Sequence, residues 1–197
     1  LDMGTGRGKR EFVIRKMAGW AVDQFLEGNC DNLILMLCPL TLLHEDLENR
    51  RREEYLTVFG DASEEEWNLY EEVLTVITYQ KLEQLCKGDA SDHRSLQKLL
   101  DRHRIIIADE CHWSEFSAFN INTHYSFDTL LQAEKNHTVI YMSATGRDTW
   151  KLLEEKGGPT QLERIYRLPQ HYEYVKAAYF YARHNLVTIL KRLPVGE

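Results

Sequence analysis

Ile105-Ile106-Ile107-Ala108-Asp109-Glu110-Cys111-His112 decides the fold. Four apolar residues run without alternation into two adjacent carboxylates. An uninterrupted apolar run of this kind is expected of a strand covered on both faces, the situation of strands in parallel sheets. The carboxylates then mark its carboxyl end. Neighbouring carboxylates at such a tip can divide labour, one holding Mg²⁺ while its neighbour polarises a water. Taken alone, the same eight residues also describe a core strand followed by a solvated acidic turn, so the surrounding chain has to decide.

Working outward, apolar runs alternate with segments of helical spacing. Phe12 to Phe25 has helical spacing, and Leu33 to Cys38 reads as a buried strand stopped by Pro39. Leu40 to about Tyr55 reads as a helix. Ser63 with Glu66 three residues later is a capping box opening the next one. Val73 to Ile77 reads as a strand, Gln80 to Leu85 as a short helix, Lys87 to Ser91 as a loop and Leu96 to Asp101 as a helix. Beyond the Ile105 strand come a polar-aromatic loop from Trp113 to Thr123, a helix from Phe127 to Glu134 and a strand from Thr138 to Met142. Trp150 to Lys156 reads as a short helix, Tyr174 to Tyr181 as a strand and His184 to Leu193 as a helix. His103, between Arg102 and Arg104, reads as exposed. Alternation of this kind predicts an α/β fold, a parallel sheet flanked by helices on both faces. Right-handed crossovers gather the carboxyl ends of all strands on one edge, where ligands of such sheets bind.

The 197 residues are 43% hydrophobic and 28% charged, which suits one globular domain with a sizeable core. No apolar run reaches the length of a membrane span, and nothing resembles a secretory signal. Cys30, Cys38, Cys86 and Cys111 form no CxxC pair. Cysteines in apolar strand contexts point to free thiols in a reducing, cytoplasmic compartment. A net charge of −7 argues against a protein that coats nucleic acid, though not against an enzyme that grips a strand over a small area.

Two further segments matter. Gly4-Thr5-Gly6-Arg7-Gly8-Lys9-Arg10 is glycine-rich with a lysine, and it leads into the Phe12 helix. Glycines let successive N–H groups converge on an anion, and a helix N-terminus adds positive potential. Ser143-Ala144-Thr145 ends the Thr138 strand and follows Asp109 by 34 residues. The three segments together, in this order, resemble the first motor domain of superfamily-two DExH/DEAD-type helicases and translocases, a RecA-like P-loop NTPase domain. Gly6-Arg7-Gly8-Lys9 looks like the Walker A loop, Asp109-Glu110-Cys111-His112 like the DExH form of Walker B, and Ser143-Ala144-Thr145 like the SAT motif. Pro39-Leu40-Thr41 and Thr78-Tyr79-Gln80 fall where that family makes its single-strand contacts.

The resemblance implies ATP and Mg²⁺ as cofactors and a single strand of DNA or RNA as partner. It implies that Thr5, Gly6, Arg7, Gly8, Lys9 and Arg10 form the nucleotide loop, with Lys9 on the β and γ phosphates. It implies Asp109 as the metal ligand and Glu110 as the residue that activates water. His112, Ser143, Ala144 and Thr145 would couple the nucleotide to the nucleic-acid side. Pro39, Leu40, Thr41, Thr78 and Gln80 would touch the strand, and Tyr79 would either stack on a base or pack in the core.

The chain departs from the family pattern at Arg10, where the Walker loop normally carries Ser or Thr. A guanidinium has no lone pair for a metal. Arg10 is therefore expected to contact a phosphate, and the domain to bind nucleotide while hydrolysing it poorly. A strand is expected before the Walker loop, and the few residues before Gly4 do not supply it, leaving a ladder edge in mid-sheet. Residues 1–185 read as the motor domain and 186–197 as the start of a connection to a second RecA-like domain. The other reading is a degenerate nucleotide-binding module with a scaffolding or regulatory role.

Overall fold

In a computed structural model, the described residues are 8–39, 53, 63–112, 124–143, 150, 151, 153 and 155. The readings for the helix from Leu40, apart from the helical Glu53, for the loop from Trp113 and for everything from Tyr174 lie outside them.

Four strands form one all-parallel sheet: β1 (Ile34–Cys38), β2 (Leu74–Thr78), β3 (Ile105–Asp109) and β4 (Thr138–Met142), in the order β2-β1-β3-β4. All five residues of β1 and of β3 are buried, which is why both read as unbroken apolar runs. Their side chains alternate between two cores. Ile34, Met36, Ile105 and Ile107 join one cluster, while Leu35, Leu37, Ile106 and Ala108 join the other.

Each core is closed by its own helices. The first is covered by a continuous helical stretch made of α1 (Lys9–Glu11), a π-helical segment (Phe12–Met17) and α2 (Ala18–Leu26), together with α3 (Glu64–Val73). Val13, Ile14, Ala18 and Ala21 supply the buried stripe of the former, and Tyr70 and Val73 that of the latter. The Tyr70 hydroxyl donates to the Ile14 carbonyl at 2.8 Å, tying α3 to the π-helical segment. The second core is covered by α4 (Tyr79–Lys87), α5 (Ala90–Arg102), α6 (His124–Ala133) and the helical residues Trp150 and Leu153. The expected α/β architecture with helices on both faces is the one found.

Local chemistry sets the boundaries. Ser63 and Glu66 make the reciprocal capping box at the start of α3. The loop expected from Lys87 to Ser91 shrinks to Gly88 and Asp89, because the Asp89 carboxylate accepts from the N–H groups of Ser91 and Asp92 and starts α5 early. His103 is buried rather than exposed, at 1% accessibility. Its Nδ1 lies 2.7 Å from the Leu99 carbonyl and its Nε2 2.9 Å from Thr75 Oγ1, so both ring nitrogens are satisfied across the α5–β2 contact. Burial pushes its pKa below the usual histidine value.

The four strands pair without interruption, with Cys38 beside Thr78 and Asp109 beside Met142. No slot opens between them, so the expected mid-sheet edge is not present among the described strands. The chain moves from β1 outward to β2, then crosses to the other side of β1 for β3. The connection therefore reverses between β1 and β3, and a crevice is expected at the carboxyl ends of those two strands.

Candidate functional site

The parallel sheet brings four strand ends to one edge: Cys38, Thr78, Asp109 and Met142. The residues that follow them include Pro39, Tyr79, Glu110 and Ser143, each already singled out by motif. The helical stretch that begins at Lys9 closes on this edge from one side. Its N-cap, Gly8, has φ +73°, a left-handed conformation that glycine adopts without cost, and its carbonyl accepts from Phe12 N–H. The helix thus starts with Lys9 and Arg10 beside the tip of β3.

Arg10 Nε lies 2.6 Å from Asp109 Oδ2, a charge-assisted hydrogen bond to a carboxylate with no solvent exposure. Burial pushes the Asp109 carboxyl above its ordinary pKa, and the bond and charge of Arg10 hold it back. Half-burial alone pulls the Arg10 pKa down, but the bond and charge of Asp109, with Glu110 adding to them, raise it overall. Arginine stays protonated and accepts nothing, so it is the donor to the Asp109 carboxyl.

Lys9, 7% exposed, reaches Glu110 with Nζ 3.6 Å from Oε1. In a regular strand Asp109 and Glu110 would point to opposite faces. Glu110 instead has φ +47°. This turn takes Glu110 out of the alternation and leaves both carboxylates facing the lysine–arginine pair. It is locked from two sides. The Cys111 N–H donates to the Met142 carbonyl at 3.0 Å, and the buried Tyr79 hydroxyl donates to the Asp109 carbonyl at 3.1 Å.

His112 completes the arrangement. Its Nδ1 lies 2.7 Å from Ser143 Oγ and 3.5 Å from Glu110 Oε2. A continuous set of contacts therefore runs from Lys9 through Glu110 and His112 to Ser143, joining the first helix to the ends of β3 and β4.

Five motif residues, Lys9, Glu110, His112, Ser143 and Asp109, are thus brought together with Arg10. Thr5, Gly6, Arg7, Leu40, Thr41, Ala144 and Thr145 lie outside the described residues. Pro39 is buried at the end of β1. Thr78 is the N-cap of α4, its hydroxyl accepting from Lys81 N–H, and Gln80 is exposed on the same edge. Tyr79 does not offer a stacking face. It is 3% exposed and packs in the second core, because β2 ends directly into α4 and turns the ring inward. Motif position alone did not show its structural role beneath Asp109. Glu83, also buried, has no catalytic placement: its Oε1 accepts from the backbone N–H and hydroxyl of Ser126 and anchors the start of α6.

The site has the elements for an anionic ligand: a cationic pair, a left-handed glycine and a helix start. Its fit to a divalent ion is poor. Arg10 stands where the second ligand of a nucleotide-bound Mg²⁺ would be and occupies one oxygen of Asp109. The other, Oδ1, is buried without a partner among the described residues, and the neighbouring Glu110 carboxylate faces Lys9 and His112. Mg²⁺ demands near-octahedral oxygen ligation. At an effective dielectric of 20, a dication about 4 Å from a guanidinium would meet a repulsion of about 8 kcal/mol before screening.

Neither the curated proteins nor the solved structures compared with the chain give a match. Among the described residues no helix is long and apolar enough to cross a membrane. A family described as type III restriction enzyme, res subunit, matches residues 1–148, the stretch that carries all three motifs and the whole of the described sheet. With its parallel sheet and the acidic tip of β3 facing the first helix, the chain belongs to that family and is an ATP-binding, helicase-like RecA-type motor domain.

Proposed function

We propose that this domain binds ATP in the crevice between the ends of β1 and β3 and, within a nucleic-acid-dependent ATPase, couples hydrolysis to movement on a single strand of DNA or RNA. The observation that carries the reading is the contact set Lys9–Glu110–His112–Ser143. In this reading the Gly8 turn and Lys9 hold the phosphates. Glu110, partly exposed at the strand tip, orients the attacking water and accepts its proton. His112 senses the state of Glu110 across their 3.5 Å contact and passes it to β4 through its bond to Ser143. Thr78 and Gln80, on the same sheet edge as Pro39, supply contacts to the strand's phosphates, which position it without reading its sequence.

A second reading, a nucleotide-binding module with a scaffolding or regulatory role, is favoured by one observation, the Arg10–Asp109 pair. ATP turnover with and without single-stranded DNA or RNA separates the two. The motor reading expects stimulation by the oligonucleotide, and expects Ser143→Ala to remove most of that stimulation while ATP affinity stays within about twofold. Tight ATP binding with no stimulated turnover favours the module, and absence of ATP binding overturns both.

A further inference from the structure

Arg10 is the residue by which this site differs from one built around a metal. It follows Lys9 in the first helical turn, and its Nε is bonded at 2.6 Å to a fully buried carboxylate. Glu110, the next residue of the same tip, adds negative charge toward it. The bond uses one N–H and leaves the four N–H groups of the two terminal nitrogens for other acceptors. A planar guanidinium fork matches phosphate oxygens bidentately, which a lysine ammonium does not. Lys9, held 3.6 Å from Glu110, provides the second cation on the same side.

We propose that Arg10 takes the place of the divalent cation, so that the domain binds metal-free nucleoside triphosphate, with Asp109 as the positioning residue that aims the guanidinium at the phosphates. The proposal rests on the nucleotide-binding reading above. Asp109 then acts through Arg10. Its burial serves that end, since a carboxylate shielded from water holds its partner in one orientation.

The test is equilibrium titration of a fluorescent ATP analogue in buffer with Mg²⁺ and in buffer with EDTA. For the native chain the dissociation constant in EDTA is expected to be no more than about threefold that in Mg²⁺, and lower to the extent that Arg10 repels the metal-bound analogue. Arg10→Thr, which removes the charge and restores a hydroxyl ligand, is expected to bind at least about tenfold more weakly in EDTA than in Mg²⁺. Arg10→Gln, which removes the charge and supplies no such ligand, is expected to bind weakly in both buffers. It gives an independent answer if the Thr variant does not fold by circular dichroism. Mn²⁺ paramagnetic resonance adds a readout apart from affinity: nucleotide is expected to recruit Mn²⁺ to the Arg10→Thr chain and not to the native one. A loss greater than threefold for the native chain in EDTA, or Mn²⁺ recruitment equal in the two chains, overturns the proposal and leaves nucleotide binding standing. No analogue binding by either chain in either buffer removes the nucleotide-binding reading itself, and this inference with it.

Discussion

The positive φ of Glu110 can be tested by comparing Glu110→Gly with Glu110→Ala. Both changes remove the carboxylate, and with it the contacts to Lys9 at 3.6 Å and His112 at 3.5 Å. Their difference therefore isolates the backbone. At φ +47° an L-residue with a Cβ pays about 1–2 kcal/mol that glycine does not. Glycine in turn loses about 0.4–1 kcal/mol through the greater freedom of its unfolded chain. The balance leaves the Gly variant more stable than the Ala variant by roughly 0.5–1 kcal/mol. Urea unfolding followed by far-ultraviolet circular dichroism reads this directly. With a slope of about 2 kcal/mol per molar urea, the midpoint of the Gly variant is expected roughly 0.3–0.5 M higher. The sign is the signature, because in helices and strands glycine is the less stable of the two by about 0.5–1 kcal/mol. An Ala variant equal to or more stable than the Gly variant would refute the reasoning: the turn would then cost no more than glycine's unfolded-chain freedom, about 0.4–1 kcal/mol, rather than the strain expected of a left-handed residue.

Two further outcomes follow from buried polar groups. Tyr79→Phe leaves the Asp109 carbonyl without its donor and is expected to cost about 1–3 kcal/mol in urea unfolding, with affinity for single-stranded nucleic acid unchanged; a large loss of that affinity with unchanged stability would restore the stacking role. His103 is neutral in the fold with its pKa depressed by burial, so its contribution is intact above the unfolded value of about 6.5 and is lost as pH falls from there through the folded value. Native stability is therefore expected to decline between pH 7 and 5, and His103→Gln to reduce that slope by up to about 1.4 kcal/mol per pH unit; an unchanged slope would show that His103 is not the group responsible.

The two-sided sheet was legible because β1 is apolar at every position and β3 at every position before Asp109, a pattern that burial on both faces requires. The capping box at Ser63 and Glu66 was legible because its partners are three residues apart. Contacts across long separations were not. Arg10 is recognisable in the sequence as a poor metal ligand, and the expectation was a phosphate contact. That it settles on Asp109, far along the chain, depends on where the first helix crosses the sheet, which no local pattern encodes. His103 read as exposed because its neighbours are arginines, whereas the register of α5 against β2 turns it inward toward Thr75. Tyr79 reads equally as a ring in the core or a ring on a base until the immediate passage from β2 into α4 fixes its direction. The π-helical segment has no residue signature among Phe12 to Met17, and the left-handed turn at Glu110 falls on a residue that rarely adopts it.

Cys38 closes β1 beside the Arg10 guanidinium, with its side chain fully enclosed, while Cys30 sits in the open eight residues earlier. Neither is in a disulfide. A thiol reagent can therefore reach Cys30 at once but meets Cys38 only when the packing over the end of β1 opens. The chain carries its own clock for that event. The ratio of the two alkylation rates measures how often the crevice between β1 and β3 opens, and how firmly any molecule bound there keeps it shut, with no label added to the protein.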